Sequence, residues 1–283
     1  MTKLAIIADS SQDLTFELAH QFGLELLSYQ IQMGDQHFKD LVDIDTTQFY
    51  RTMQDYKVLS TGIPPINEAL DLLDKLKAQG YDQALMLCSS AKVTGMRQIY
   101  KVLQDQYEGM ELFVFDTEQI ASSAGLQSIL AAQMNQAGAS VQEILAELER
   151  VRPQTDIYAL FRTLEYLVRG GRFNKYKGML GQILKIQPLL KMIDGEVGVI
   201  GKVRGKKKSF QAFVDQIKAD LKGAQRYRLA IFSGDNQEEV LLLKEVLANE
   251  IEKAELVLET QLTAVLGVHA GPNSIGIATQ ILD

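Results

Sequence analysis

The chain has 283 residues, 46% of them hydrophobic and 23% charged, with a formal net charge of −7. That describes an ordinary globular composition, long enough for one large or two medium domains and rich enough to bury a sizeable core. The single cysteine, Cys88, excludes a disulfide framework and a cysteine-based zinc site and reads as a small core hydrophobe. No apolar stretch approaches the roughly 20 residues that cross a bilayer. The start of the chain lacks the pattern of a secretory signal, so a cytoplasmic protein is expected. The charge is uneven. Residues 1–150 carry 10 basic and 21 acidic side chains, whereas residues 169–208 carry 11 basic and 2 acidic ones. That basic stretch makes a local positive potential suited to an anion or an acidic partner.

In chain order, Lys3 to Ala8 reads as a short apolar strand, followed by the polar Asp9-Ser10-Ser11 and a helix over Thr15 to Phe22. The pattern then recurs, as an α/β fold requires. A periodic helix spans Ile66 to Ala78, Gly80 stops it, and Ala84 to Cys88 forms a strand that ends in Ser89-Ser90 before another helical stretch. Glu111 to Phe115 is a third strand, closed by Asp116-Thr117 ahead of an Ala-rich helix over Ser122 to Gln136. Ser140 is placed to cap a helix over Val141 to Val151. The segment around Arg152-Pro153 is the expected domain boundary, giving domains 1–152 and 153–283. Beyond it, strands are expected at Asp156 to Phe161, Ile186 to Ile193, Val197 to Ile200 and Arg228 to Phe232. Helices are expected at Thr163 to Val168 (ended by Gly170-Gly171), Ser209 to Leu221 and Gln237 to Leu247.

Ligands in open α/β sheets bind beyond the C-terminal ends of the strands. This makes Ser10, Ser89, Thr94 and Thr117 candidate site residues, although helix caps and turns use the same residue types. The common catalytic motifs are missing. There is no G-x-S-x-G and no G-x-G-x-x-G opening a helix. Gly195 to Lys202 is one residue too long for a phosphate-binding loop, and Val203 stands where the hydroxyl belongs. The three histidines, His20, His37 and His269, have no metal-ligand spacing. His269 stands apart because it follows the apolar run Ala264 to Gly267 and precedes Gly271-Pro272. A turn there fixes its backbone and leaves its ring free to face a cleft.

Several segments together resemble the DegV family. Asp9-Ser-Ser-Gln-Asp-Leu14 is similar to its N-terminal "DSSxDL". Phe161 to Arg172, containing Thr-Leu-Glu-Tyr-Leu-Val-Arg-Gly-Gly-Arg, is similar to its "TLEYLKKGGRI" segment. Gly178 to Leu190, Asp194-Gly-Glu196 and Gly201 to Lys208 continue in register, and His269-Ala-Gly-Pro272 is similar to "HxGP" near the C-terminus. The resemblance implies two α/β domains with a lipid tunnel between them: an N-terminal, mostly parallel Rossmann-like sheet and a C-terminal mixed sheet with helices. It also implies a non-catalytic role as the fatty-acid-binding subunit of a bacterial fatty acid kinase. In that system a separate ATP-dependent subunit phosphorylates the carboxylate for phospholipid synthesis.

The same resemblance assigns residues. Ser60-Thr-Gly-Ile-Pro64 takes the place of a "TSQP" loop, with Thr61 as the carboxylate-binding hydroxyl and with Gly62 and Ile63 as departures. Ser89 to Gly95 is similar to "SSGLSG" with one extra residue, which puts Thr94 at the second hydroxyl. His269 falls on the clamp histidine, and Asn273 replaces a glycine after Gly-Pro. Arg204 falls on an arginine implicated in phosphoryl transfer, and Arg169 and Arg172 join the basic cluster that docks the kinase or neutralises phosphate. No cofactor is implied beyond the bound long-chain fatty acid. No nucleic acid is expected, and membrane contact is at most transient.

The chemistry is coherent. A carboxylate buried without partners costs many kcal/mol or takes up a proton, and two hydroxyls with an imidazole satisfy its oxygens. The tail needs only apolar lining, sought in Phe161 to Leu167, Met179 to Leu190 and Ile275 to Ala278. Three other readings stand beside this one. They are a lipid sensor or store with no kinase, a hydrolase pairing Ser10 or Ser89 with His269, and nucleic-acid binding through Lys202 to Lys208. The acidic total charge and lack of interleaved aromatics argue against the last.

Overall fold

The computed structural model describes residues 3–173 and 186–283. The first part of the chain forms strands β1 (Leu4–Asp9), β2 (Glu25–Leu27), β3 (Gln30–Met33), β4 (Gln36–Lys39), β5 (Leu59–Gly62), β6 (Gln83–Cys88) and β7 (Glu111–Asp116). Helices α1 (Phe16–Phe22), α2 (Thr46–Thr52), α3 (Ile66–Ala78) and α4 (Met96–Gln106) lie between them. Strands β2-β1-β6-β7 make a parallel sheet in that order, and β4-β3-β5 a small antiparallel one. Successive side chains of a strand point to opposite faces. Ala5 and Ile7 of β1 accordingly enter one core, while Leu4, Ile6 and Ala8 enter another. A strand covered on both faces is apolar throughout, which is why β1 and β6 stand out in the sequence.

The remainder forms α5 (Ala121–Gln136), α6 (Val141–Val151), β8 (Thr155–Leu160), α7 (Glu165–Arg169), β9 (Ile186–Ile193), β10 (Glu196–Arg204) and α8 (Lys206–Asp220). It continues through β11 (Tyr227–Gly234), α9 (Gln237–Val246), α10 (Ala248–Lys253), β12 (Leu256–Gln261), α11 (Ala264–Ala270) and β13 (Ser274–Ile281). Its six strands run β10-β9-β8-β13-β11-β12, with β11 and β12 parallel and the other neighbours antiparallel. The α/β class, with a parallel sheet in the N-terminal part and a mixed sheet in the C-terminal part, is as expected.

Helix α5 lies between the two large sheets, touching β1 on one side and β8, β11 and β13 on the other. It is buried without interruption from Ala121 to Ala132, so it is built from small residues. A Cβ on Gly125 would come 2.5 Å from the Gln12 carbonyl oxygen. Helix α6 opens on a complete capping box between Ser140 and Glu143. Helix α7 starts at Glu165, two residues later than the periodicity suggested. Helix α8 starts at Lys206, three residues earlier than expected. The lysines that open α8 oppose the helix dipole, and Gly205 before them supplies no capping side chain, so no sequence signal marks that start.

Polar contacts tie the two parts of the chain together. Asp13 accepts hydrogen bonds from Ser122 Oγ (2.5 Å), Thr260 Oγ1 (2.5 Å) and the Thr263 backbone N–H (3.2 Å). Thr263 Oγ1 donates to the Ser10 carbonyl at 2.9 Å. On the far side, Ser90 Oγ and Lys92 Nζ each donate, at 2.7 Å, to the carbonyls of Gly195 and Asp194 in the β9–β10 turn.

These buried carboxyls have a consequence for pH. Asp9, Asp13 and Asp40 are at most 1% exposed, and burial pushes them from 3.8 up to about 6, about 6 and about 7. A carboxyl whose pKa rises on folding stabilises the native state fully below its unfolded value, and that contribution is lost as pH rises through the folded value. His269 works in the opposite sense. Burial, and secondarily the charge of Arg172, lowers it from 6.5 to about 3, so its contribution grows as pH rises through that interval. Three groups oppose one, and the urea midpoint is expected to fall from about pH 5 to about pH 7.5. A midpoint that rises over the same interval would contradict this.

Candidate functional site

His269 sits in the last turn of α11, not in a Gly-Pro turn as the sequence suggested. The turn follows at once. Gly271 takes φ +72° beyond the helix end, and a Cβ there would come 2.3 Å from the Tyr166 ring. Asn273, the departure from the family glycine, has φ +59°. Asparagine is among the few non-glycine residues that readily adopt this left-handed conformation, so the turn is preserved.

Thr61 reaches His269 from β5, which pairs with β3 at Ile31. Thr61 Oγ1 and His269 Nε2 are 3.0 Å apart, a hydrogen bond that joins residues 208 positions apart in the chain. The approach of the imidazole depends on Gly170, the residue that ends α7. A Cβ there would come 2.1 Å from His269 Nδ1. His269 Nδ1 is itself buried and has no hydrogen-bond partner among the described residues. Thr94 lies in the loop between β6 and α4, where its Oγ1 donates weakly to the carbonyls of Ser89 and Ser90 at 3.4 and 3.5 Å. Arg172 closes the group. Its Nε donates to the Val93 carbonyl at 3.4 Å. Its Nη1 donates to the Gly170 carbonyl at 2.7 Å; the residue is exposed, yet partial burial is enough to lower its pKa.

Thr61, Thr94, Arg172 and His269 all line one cavity, together with Ser11 and Tyr29. The cavity and its open mouth together hold about 840 Å³ of atom-free space. Its remaining walls are apolar apart from Lys191, whose ammonium pairs with Asp156 at 2.8 Å. Ile157, Ala159 and Phe161 come from β8 and its C-terminal end, Leu190 and Met192 from β9, Phe232 from β11, and Val265 and Leu266 from α11. A neutral imidazole, several hydroxyls and one guanidinium at an otherwise oily cavity suit a ligand with one small anionic group and a long apolar body.

The other expected site residues are placed as follows. Arg169 pairs with Glu165 at 2.7 Å and lies over the Tyr166 ring. Arg204 is exposed at the end of β10. Neither lines the cavity. Ser10 Oγ accepts from the Tyr29 backbone N–H, Ser89 Oγ pairs with Ser11 Oγ at 2.8 Å, and Thr117 Oγ1 donates to the Cys88 carbonyl. These three hydroxyls hold turns together, whereas the imidazole pairs with Thr61. The apolar expectations divide. Phe161, Leu167 and Leu190 line the cavity. Met179 to Lys185 lie outside the described residues, as does the side chain of Ile186. Ile275 to Ala278 do not line it. Ile275 and Ile277 point to the opposite, helix-covered face, and Ala278 packs against Leu126 and Ala230. Tyr29, Ile120, Phe232 and Leu262 are lining residues that sequence reasoning missed. None belongs to a motif, and tertiary packing alone brings them together.

The family model described as "Uncharacterised protein, DegV family" matches residues 3–281. The chain belongs to the DegV family. It is 30% identical over 284 residues to a DegV domain-containing protein of Clostridium perfringens, covering 99% of each chain. A fatty-acid-binding DegV family protein of Thermus thermophilus has the same fold, with a TM-score of 0.92 at 24% identity over 99% of this chain and 100% of the other. DegV of Bacillus subtilis, described as a fatty acid binding protein, gives 0.91 at 22% identity with the same coverage. A stearic acid-binding protein of Eubacterium ventriosum gives 0.87 at 22% identity, covering 100% of this chain and 99% of the other.

Proposed function

We propose that this protein binds one long-chain fatty acid in the cavity and presents its carboxylate to a separate ATP-dependent kinase. The resulting acyl phosphate would serve phospholipid synthesis. The observation that carries the reading is the Thr61–His269 hydrogen bond at the wall of an otherwise apolar cavity, with Thr94 and Arg172 beside it. Fatty-acid binding by the Thermus, Bacillus and Eubacterium relatives supports it. The carboxylate would accept from Thr61, Thr94 and His269. The tail would lie along the inner face of the six-stranded sheet, each buried methylene contributing about 0.8 kcal/mol. Affinity then comes mainly from the tail and orientation from the head. The cavity lies between a domain of residues 1–152 and one of residues 153–283, a division we adopt with this reading. The protein would work in the cytoplasm.

Arg204, exposed together with Lys206, Lys207 and Lys208, would neutralise charge during phosphoryl transfer or seat the kinase, in company with Arg169 and Arg172. Organic extraction of the purified protein followed by mass spectrometry tests the binding; an extract free of fatty acid would end the reading. With kinase and ATP added, Arg204→Ala is expected to keep the bound fatty acid and to reduce acyl phosphate formation about a hundredfold. Unchanged turnover would remove Arg204 from this role. Wild-type protein loaded with fatty acid but inert to the kinase would instead indicate a lipid store or sensor.

A further inference from the structure

One cross-strand row of the six-stranded sheet shapes the floor of the cavity. Phe232, Gly276, Ala159 and Leu190 stand in register across β11, β13, β8 and β9. Their chain neighbours Ile231, Ile275, Ile277, Tyr158, Leu160 and Leu189 all enter the core on the opposite face, so by alternation the row faces the cavity side. Phe232, Ala159 and Leu190 line the cavity, but Gly276 does not. The Phe232 ring covers it: a Cβ on Gly276 would come 1.9 Å from Phe232 Cζ and 2.4 Å from Cε2. Gly276 is not among the glycines with positive φ, so its own φ does not require glycine. Its surroundings do: such a Cβ would meet the ring and also the Tyr158 carbonyl oxygen at 2.6 Å. The missing side chain is a seat in which the phenyl lies down along the sheet instead of standing up into the cavity.

We infer that Phe232, seated on Gly276, is the residue that determines which acyl chains the cavity accepts. The inference rests on the fatty-acid reading and adds a specificity determinant to it. Phe232 is 2% exposed and belongs to the same packed cluster as the other lining residues. Its ring therefore holds a fixed volume that no mobile group can exchange with the ligand. Removing the ring opens apolar space beside the tail, and enlarging it drives an aromatic edge into the tail's path, because the seat is already full.

The test compares fatty acids extracted from wild type, Phe232→Ala and Phe232→Trp purified from the same cells. Phe232→Leu serves as a milder truncation, and the melting temperature of each protein is recorded. Phe232→Ala and Phe232→Leu are expected to shift the bound pool toward longer or bulkier chains. Chains two methylenes longer should gain about tenfold in relative affinity, as expected for one to two newly buried methylenes. Phe232→Trp is expected to shift the pool toward shorter chains. Opposite shifts from folded variants uphold the assignment. Wild type and Phe232→Leu both loaded, with the same chain distribution, overturns it while leaving fatty-acid binding intact. A wild-type extract without fatty acid overturns both.

Discussion

Replacing His269 with alanine is expected to weaken fatty-acid binding tenfold to a hundredfold while leaving the fold intact. Among the described residues the imidazole makes one hydrogen bond, to Thr61, and its Nδ1 has none, so the fold loses little when the ring is removed. A bound carboxylate loses more. Leaving a buried polar group short of a partner costs about 1–3 kcal/mol, and each 1.4 kcal/mol is about a factor of ten in Kd. Displacement of a fluorescent fatty acid measures the loss, and a fatty alcohol of equal length provides the contrast. Loss for the acid with little change for the alcohol places His269 at the headgroup. Equal loss for both would make it a packing residue, and no loss for either would remove it from the site. The expected effect on the acid should not depend on pH between about 6 and 8, because burial holds the imidazole neutral, with its pKa lowered to about 3.

The second large effect is on stability. Asp13→Ala is expected to cost about 3 kcal/mol, measured as a fall in urea midpoint at unchanged slope. Ser122 Oγ, Thr260 Oγ1 and the Thr263 N–H would all lose their acceptor, and a buried donor left unpaired carries a penalty of about 1–3 kcal/mol. Relief from burying the carboxyl itself, whose pKa is raised to about 6, offsets part of that sum. Asp13 also adopts φ +59°, a conformation that aspartate and asparagine tolerate better than alanine. Asp13→Asn should therefore recover part of the loss by keeping the backbone while presenting one oxygen. A loss below about 1 kcal/mol for alanine would mean that these contacts do not hold the two parts of the chain together. Because Thr263 immediately precedes α11, the same variant should also loosen the helix that carries His269.

Much of the framework is legible in the sequence for identifiable reasons. Ile66–Ala78 and Val141–Val151 carry a helical period together with a clear stop or cap. The strands β1, β6, β7 and β11 are apolar on both faces. Apart from β13, eight residues long and buried almost throughout, what escaped notice was short or half-exposed. Strands β2 to β5 are three or four residues long, too short for periodicity to register, although β5 carries Thr61. Strand β12 alternates between partly buried and exposed positions along most of its length and offers no apolar run. The site was less legible still. Thr61, Thr94 and His269 could be assigned only through the resemblance to DegV proteins, since no spacing rule links positions 61 and 269. Arg172 was expected at the kinase-facing surface and also forms part of the cavity wall. The Phe232–Gly276 pair has no sequence signal, because a glycine in a strand has several explanations until its cross-strand neighbour is known.

The central claim is that the headgroup of a fatty acid lies at Thr61 and His269 and its tail runs over β8 and β11. A crystal structure of the protein as purified, with no ligand added, tests this most directly. The account predicts continuous density for one acyl chain past Ile157, Ala159 and Phe232, ending in a carboxylate within hydrogen-bonding distance of Thr61 Oγ1 and Thr94 Oγ1. An empty or water-filled cavity, or a chain whose carboxylate lies at the opposite end, would contradict it.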